Sequence, residues 1–172
     1  DNLHRPGQPR ETTLDEHTNS DFAIAPQYWL AWDSLPSEGK RPYVLTYKRI
    51  GAPTNFRTFI AAMGPAAGYE VNANVIVPED ASDASTHALI LGCVNSLPFD
   101  FVARQKMQGQ TLNWYIVEQL PVIPPAAYAR QFGPQSAGDI VKAAVLELTY
   151  TAHDMAPFAH DMGHVDAKGE LL

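Results

Sequence analysis

The chain has 172 residues, of which 45% are hydrophobic, enough for one domain with a sizeable core. Its formal charge is −7, from 12 Lys and Arg against 19 Asp and Glu, which taken alone argues against a polyanionic partner. No window approaches about 18 unbroken apolar residues, so no membrane span is expected. Cys93 is the only cysteine, which excludes an internal disulfide and a cysteine metal cluster. It sits in "ALILGCV" and reads as a buried, inert thiol in a reducing, cytoplasmic setting.

In chain order, residues 1–20 are polar, mixed in charge and without an apolar core of a signal peptide, and read as a mobile lead-in. "FAIAPQYWLAW" predicts a strand near Tyr28–Trp32, and "SLPSEGKRP" a loop. Strands are predicted at Tyr43–Ile50, Phe56–Met63 and Tyr69–Val77, separated by the turns "GAPTN" and "GPAAG". Ser85 or Thr86 is placed to cap a buried helix over "ALILGCVN". Pro98 interrupts that helix, and with Ser96 before it a second helical piece restarts as "PFDFVARQK". "NWYIVEQL" fits either helix or strand, with Asn113 favouring a short capped helix. Pro121, Pro124 and Pro125 force the next segment to be extended. Ile140, Val141, Ala144, Val145, Leu148 and Ala152 recur at helical spacing, predicting an amphipathic helix over Asp139–His153. The fold class expected is α+β: a small mixed or antiparallel sheet packed with a kinked helix, plus a C-terminal amphipathic helix. The divisions expected are 1–20, a core over 21–130 and a helical extension over 131–172.

Charge is unevenly distributed. Lys40, Arg41, Lys48, Arg49 and Arg57 fall in Lys40–Tyr69, and Arg104 and Lys106 in Phe101–Val117. Neither stretch contains an acid, yet together they hold seven of the twelve cations. A polyanion could bind such a face despite the net charge.

Three groups of residues invite chemistry. His153, His160 and His164 would share one face of an ideal helix and, with Asp154 and Asp161, suit zinc or iron. Pro157 and Gly163 break that helix, so no metal site is expected. "NSLPFD" has one proline and Ser96 after Asn95, and does not make the strained Asn-Pro-Pro turn of amino-group methylases. "RIGAPTNFRT" offers two guanidiniums, an amide and two hydroxyls around a turn. Arg can pair with guanine and Asn with adenine, while Thr and Arg also hold phosphates. From the residue types alone, a hairpin turn with solvated cations describes the segment better.

Two longer stretches carry a family resemblance. "LILGCVNSLPFDFVARQKMQGQTLNWYIVEQLPVIPP" resembles the target recognition domain of adenine-specific, type IIG-like restriction–modification methylases and related phage-defence methylases. The pattern is Asn-Ser, Asp-Phe, Arg-x-Lys, a Gly loop, Leu-Asn, an aromatic pair and Gln-Leu-Pro-Val-x-Pro-Pro. Its ending is also similar to that of type I specificity subunits. "YKRIGAPTNFRTFIAAMGP" and "LELTYTAHDMAPFAHDMG" resemble the segments before and after it, extending the likeness over Tyr28–Gly163. The family often has an acid between its Arg and Ile, whereas here Arg49 is followed directly by Ile50.

The resemblance implies a bacterial DNA-recognition module without catalysis of its own. The partners implied are double-stranded DNA and a methylase domain preceding Asp1, with a nuclease in those members of the family that also cut. That methylase would use S-adenosylmethionine, and no cofactor is expected on this chain. The DNA-facing residues implied are Arg49, Thr54, Asn55, Arg57, Thr58, Arg104, Lys106, Gln108, Gly109, Thr111 and Asn113. Arg104 and Lys106 would hold phosphates, Asn55 and Arg57 would approach base edges, and Gly109 would permit close approach. The rival readings are a small metal-dependent enzyme built on the three histidines and a protein-interaction scaffold using the Asp139–Ala152 stripe.

Overall fold

The computed structural model describes residues 11–24, 31–35, 42–78 and 83–172. Its fold is α+β. Tyr43–Lys48 (β1) is the central strand of an antiparallel sheet, flanked by Ala61–Pro65 (β2) and Ala73–Ile76 (β3). The register sets Leu45 against Met63 on one side and Ile76 on the other. Five consecutive residues of β1 are buried, so both faces of this strand are covered.

The helices follow as Leu14–Thr18 (α1), Ala84–Val94 (α2), Leu97–Lys106 (α3), Trp114–Val117 (α4), Ala137–Thr149 (α5) and Ala156–Asp161 (α6). A two-stranded ribbon, Gln131–Phe132 (β4) with Gln135–Ser136 (β5), precedes α5. α2 is capped by Asp83, not by Ser85 or Thr86: its carboxylate accepts from the Ser85 and Thr86 amides. The hydroxyl of Thr86 also donates to that carboxylate, which is held below its ordinary pKa first by this bond. Ser96 caps α3 by accepting from the Phe99 amide, with Pro98 in the first turn. The two helices meet at 63°. This is the expected restart, since a proline in the first turn loses no helical hydrogen bond.

All three predicted strands of this sheet are shorter than expected, β1 by two residues because Ile50 leaves it to bridge Thr111. Only Ala61 onward belongs to β2, because the Thr58 and Phe59 amides turn to a carboxylate instead of to a ladder. Only Ala73–Ile76 of the third segment pairs with β1. The predicted strand near Tyr28–Trp32 lies mostly outside the described residues, and Trp32 opens a 3-10 turn over Trp32–Ser34. α5 starts two residues before the expected Asp139, on a capping box in which Ser136 and Asp139 bond reciprocally, and ends at Thr149.

One buried cluster spans residue 130. Tyr43, Leu45, Phe59, Leu91 and Phe99 share it with Val145, Met155 and Phe158, so the C-terminal helices pack into the same core as the sheet. Gly92 allows this approach: a Cβ there would meet Val141 Cγ1 at 2.5 Å. Within the expected lead-in, α1 forms on a Thr13–Glu16 capping box, and the His153 amide bonds the Ser20 carbonyl at 2.9 Å. Among the described residues no single helix is long and apolar enough to cross a membrane.

Candidate functional site

The chain leaves the sheet after Lys48 and returns at Ile60, whose carbonyl accepts from the Lys48 amide at 2.8 Å. The intervening loop, 49–59, is the "RIGAPTNFRT" segment followed by Phe59. Its first residues pair with the stretch that follows α3. Leu112 N donates to Arg49 O at 2.8 Å, Gly51 N donates to Gln110 O at 2.9 Å, and Ile50 bridges Thr111. The two acid-free stretches, with residues 70–100 between them in sequence, are thereby knitted together by backbone hydrogen bonds.

Asp100 organises the rest of the loop. It projects from α3 with only 5% of its surface exposed. Its Oδ1 accepts from the Thr58 and Phe59 amides at 2.8 and 2.7 Å, and its Oδ2 from Arg104 Nη2 at 3.2 Å. Arg57 Nε lies 3.4 Å from Oδ1, at ion-pair distance but without hydrogen-bond geometry. Burial pushes the Asp100 carboxyl up, but the two amides and the two guanidiniums outweigh it and hold it below the ordinary carboxylate range.

Arg104 continues this arrangement outward. Nη1 donates to Pro53 O at 2.8 Å, and Nη2 to Asn55 O and Phe56 O at 3.0 and 3.1 Å. The guanidinium therefore clamps the loop tip from beneath. Pro53 favours the turn that the Asn55 amide closes on Ala52 O at 3.1 Å. Phe59 anchors the loop's return, fully buried, stacked on Tyr47 at 5.3 Å between centroids and edge-on to Phe99 at 5.0 Å. Phe56, three residues earlier, points outward with 97% of its surface exposed.

This geometry revises three of the implied DNA contacts. Thr58 is buried, its amide on Asp100 and its hydroxyl toward Ala52 O, so it stands behind the loop and not on its surface. Arg57 turns inward, with Nη2 donating to Asn95 O at 2.7 Å. Arg104 spends its donors on loop carbonyls and Asp100. Cations a few residues from a turn look solvated in sequence, but a carboxylate in reach recruits them. The signal was present in part, since Asp100 and Arg104 have the i,i+4 spacing of a helical ion pair.

The remaining candidates face outward or flank the loop. Thr54 and Asn55 are exposed at the tip. Arg49 is half-buried and donates to Asn113 Oδ1 at 3.2 Å. That bond also explains why Asn113 precedes α4 without capping it by its side chain. Lys106 is exposed and reaches Gln119 Oε1 at 3.5 Å. Gln108 and Gly109 are exposed, and a Cβ on Gly109 would meet nothing within 4 Å. Thr111 is half-buried in the bridge to Ile50. Exposed Trp114 and Tyr115 follow directly.

Comparison with protein-family models, curated proteins and solved structures finds no match. The site therefore has to be read from its own chemistry.

Asn95, like Asp100, was not among the expected site residues. Its side chain brackets Ala61, accepting from the amide at 3.0 Å and donating to the carbonyl at 2.9 Å, while its own carbonyl takes Arg57. Both residues act by shaping the loop. The three histidines occupy separate surroundings. His153 lies in a 3-10 turn, 3.6 Å from Asp21 Oδ1. His160 sits near the end of α6 beside Asp161, and His164 lies edge-on to Tyr150 beyond Gly163. Among the described residues, no group of three or more His, Cys, Asp or Glu side chains is gathered in a way that would hold a metal.

Proposed function

We propose that this chain is the DNA target recognition module of an adenine-specific DNA methyltransferase of a bacterial, cytoplasmic restriction–modification or phage-defence system. The observation that carries the reading is the joining of two acid-free, cation-bearing stretches at one rigid loop. The nearby carboxylate, Asp100, is buried and internally paired, so it does not repel an approaching phosphate. Lys48, Arg49 and Lys106 supply positive charge, while Thr54, Asn55 and Gln108 supply short polar groups for base edges or phosphates.

A recognition loop has to hold its side chains still, because a bidentate contact loses its selectivity when the donor pair can swing. The carboxylate–guanidinium clamp meets that need. Catalysis belongs to the methylase portion of such enzymes, which uses S-adenosylmethionine. The residues named here would select the sequence. The test is selection from a randomised duplex pool with the full chain, alone and joined to its methylase. Enrichment of a defined motif is expected, and a pool left unenriched in both forms would contradict the proposal.

A second reading has one observation in its favour. α5 leaves Ile140 and Leu148 exposed beside a groove of about 560 Å³ formed with Met63, Leu91 and Asn95. Such a surface suits a protein contact in a defence assembly. It lies on α5 and the β2 side and uses none of the side chains proposed to face DNA, although Asn95 belongs both to its lining and to the support of the loop.

A further inference from the structure

The Phe56 ring has no part in the contacts described so far. It is almost wholly exposed, yet the backbone beneath it is among the most heavily tied in the molecule. Arg104 holds the carbonyls of residues 53, 55 and 56, the Asn55 amide closes a turn on Ala52, and Asp100 pins the amides of Thr58 and Phe59. An apolar ring in water forgoes the free energy that burial gives, and at 97% Phe56 is the most exposed large hydrophobic side chain among the described residues. The arrangement is a large flat ring on a rigid mount, with no acid between Lys40 and Tyr69 to repel phosphate.

We infer that Phe56 is a wedge that inserts between adjacent base pairs of the bound duplex and partly unstacks them. This rests on the DNA-recognition reading of the same site and adds a mechanical role to it. Insertion is opposed by base stacking, so a ring on a slack loop would be pushed aside, whereas a clamped one transmits the strain to the duplex. The ring itself regains, against the bases, the apolar and stacking contacts it lacks in the free protein. Pyrimidine–purine steps, which unstack most easily, would be favoured at the point of insertion. Arg104 is then a positioning residue, acting through the loop without touching DNA. Distortion of the duplex beside a target adenine also lowers the cost of extruding that base for chemistry.

The test uses the full chain with duplexes rich in TpA and CpA steps that carry 2-aminopurine, whose fluorescence rises on unstacking. Wild type, Phe56→Ala and Phe56→Trp are compared, with thermal melts as controls; the exposed ring predicts unchanged melts. Wild type should bind with a rise in fluorescence. Phe56→Ala should lose the rise and bind about tenfold more weakly, with the salt dependence unchanged. Phe56→Trp should restore both. Binding by all three proteins with the same fluorescence would overturn the wedge and leave the DNA reading standing. Failure of the wild type to bind any duplex would overturn both. A wild-type dimer dispersed by Phe56→Ala, without duplex binding, would assign the ring to a protein contact, with the same consequence.

Discussion

Replacing Asp100 by alanine should be among the most damaging single changes to this fold. The substitution removes the acceptor of the Thr58 and Phe59 amides, both on buried residues, and the partner of Arg104 and Arg57. Each stranded amide costs about 1–3 kcal/mol. The side chains of Arg104 and Arg57 are 32% and 25% exposed, so water compensates part of their loss. The total expected is about 3–5 kcal/mol, in the range seen when a buried pair loses one member. That is a large share of the roughly 5–15 kcal/mol that stabilises a domain. Urea unfolding followed by circular dichroism measures it. Asp100→Asn, which keeps an oxygen for the amides, should lose about half as much. The folded-state pKa of Asp100 is depressed, so its contribution is present above the unfolded carboxylate value of about 3.9 and is lost as pH falls through the folded value. Stability of wild type should therefore drop more steeply than that of Asp100→Asn as the pH falls below about 4. A loss under about 1 kcal/mol for Asp100→Ala, or parallel acid profiles for wild type and Asp100→Asn, would refute the idea that this carboxylate organises the loop.

Arg57→Ala should destabilise by about 1–3 kcal/mol through the lost bond to Asn95 O, and should weaken cognate and unrelated DNA equally; a changed specificity ratio would return Arg57 to base reading. Gly92→Ala should cost about 1–3 kcal/mol in denaturant melts, because Val141 must move and α2 must part from α5; a neutral result would mean that α5 is not fixed against the core. Gly109→Ala should leave melting unchanged, since its Cβ meets open space, but should weaken duplex binding in a filter assay if DNA backbone comes close there.

Regular elements with a strong local signature were legible in the sequence. β1 shows itself by its β-branched and aromatic run, the α2–α3 break by Ser96 and Pro98, and α5 by its helical spacing. The loop was legible in composition but not in aim. Arg57 reads as a surface cation because nothing local says that Asp100, 43 residues on, will sit beneath the same turn, whereas for Arg104 the i,i+4 spacing to Asp100 is a partial signal. Phe56–Met63 reads as a strand, yet Asp100 draws the Thr58 and Phe59 amides away from any ladder. The Asp83 cap has a local signature of its own, since Asp83 stands three residues before Thr86, the spacing at which a side-chain acceptor reaches a helical amide. Phe56 and Phe59 are the same residue type three positions apart, one outside and one in the core, a contrast that only the tertiary fold decides.

The most direct test of the DNA-recognition reading is the salt dependence of duplex binding by the full chain, repeated with Lys48→Ala, Arg49→Ala and Lys106→Ala. Affinity should fall linearly on a log–log plot as salt rises, and each substitution that removes a phosphate contact should reduce the slope by about one. Lys106→Ala should do so equally on cognate and unrelated duplexes. Binding that is absent at low salt, or a slope unmoved by all three substitutions, would contradict the assignment of this surface to DNA.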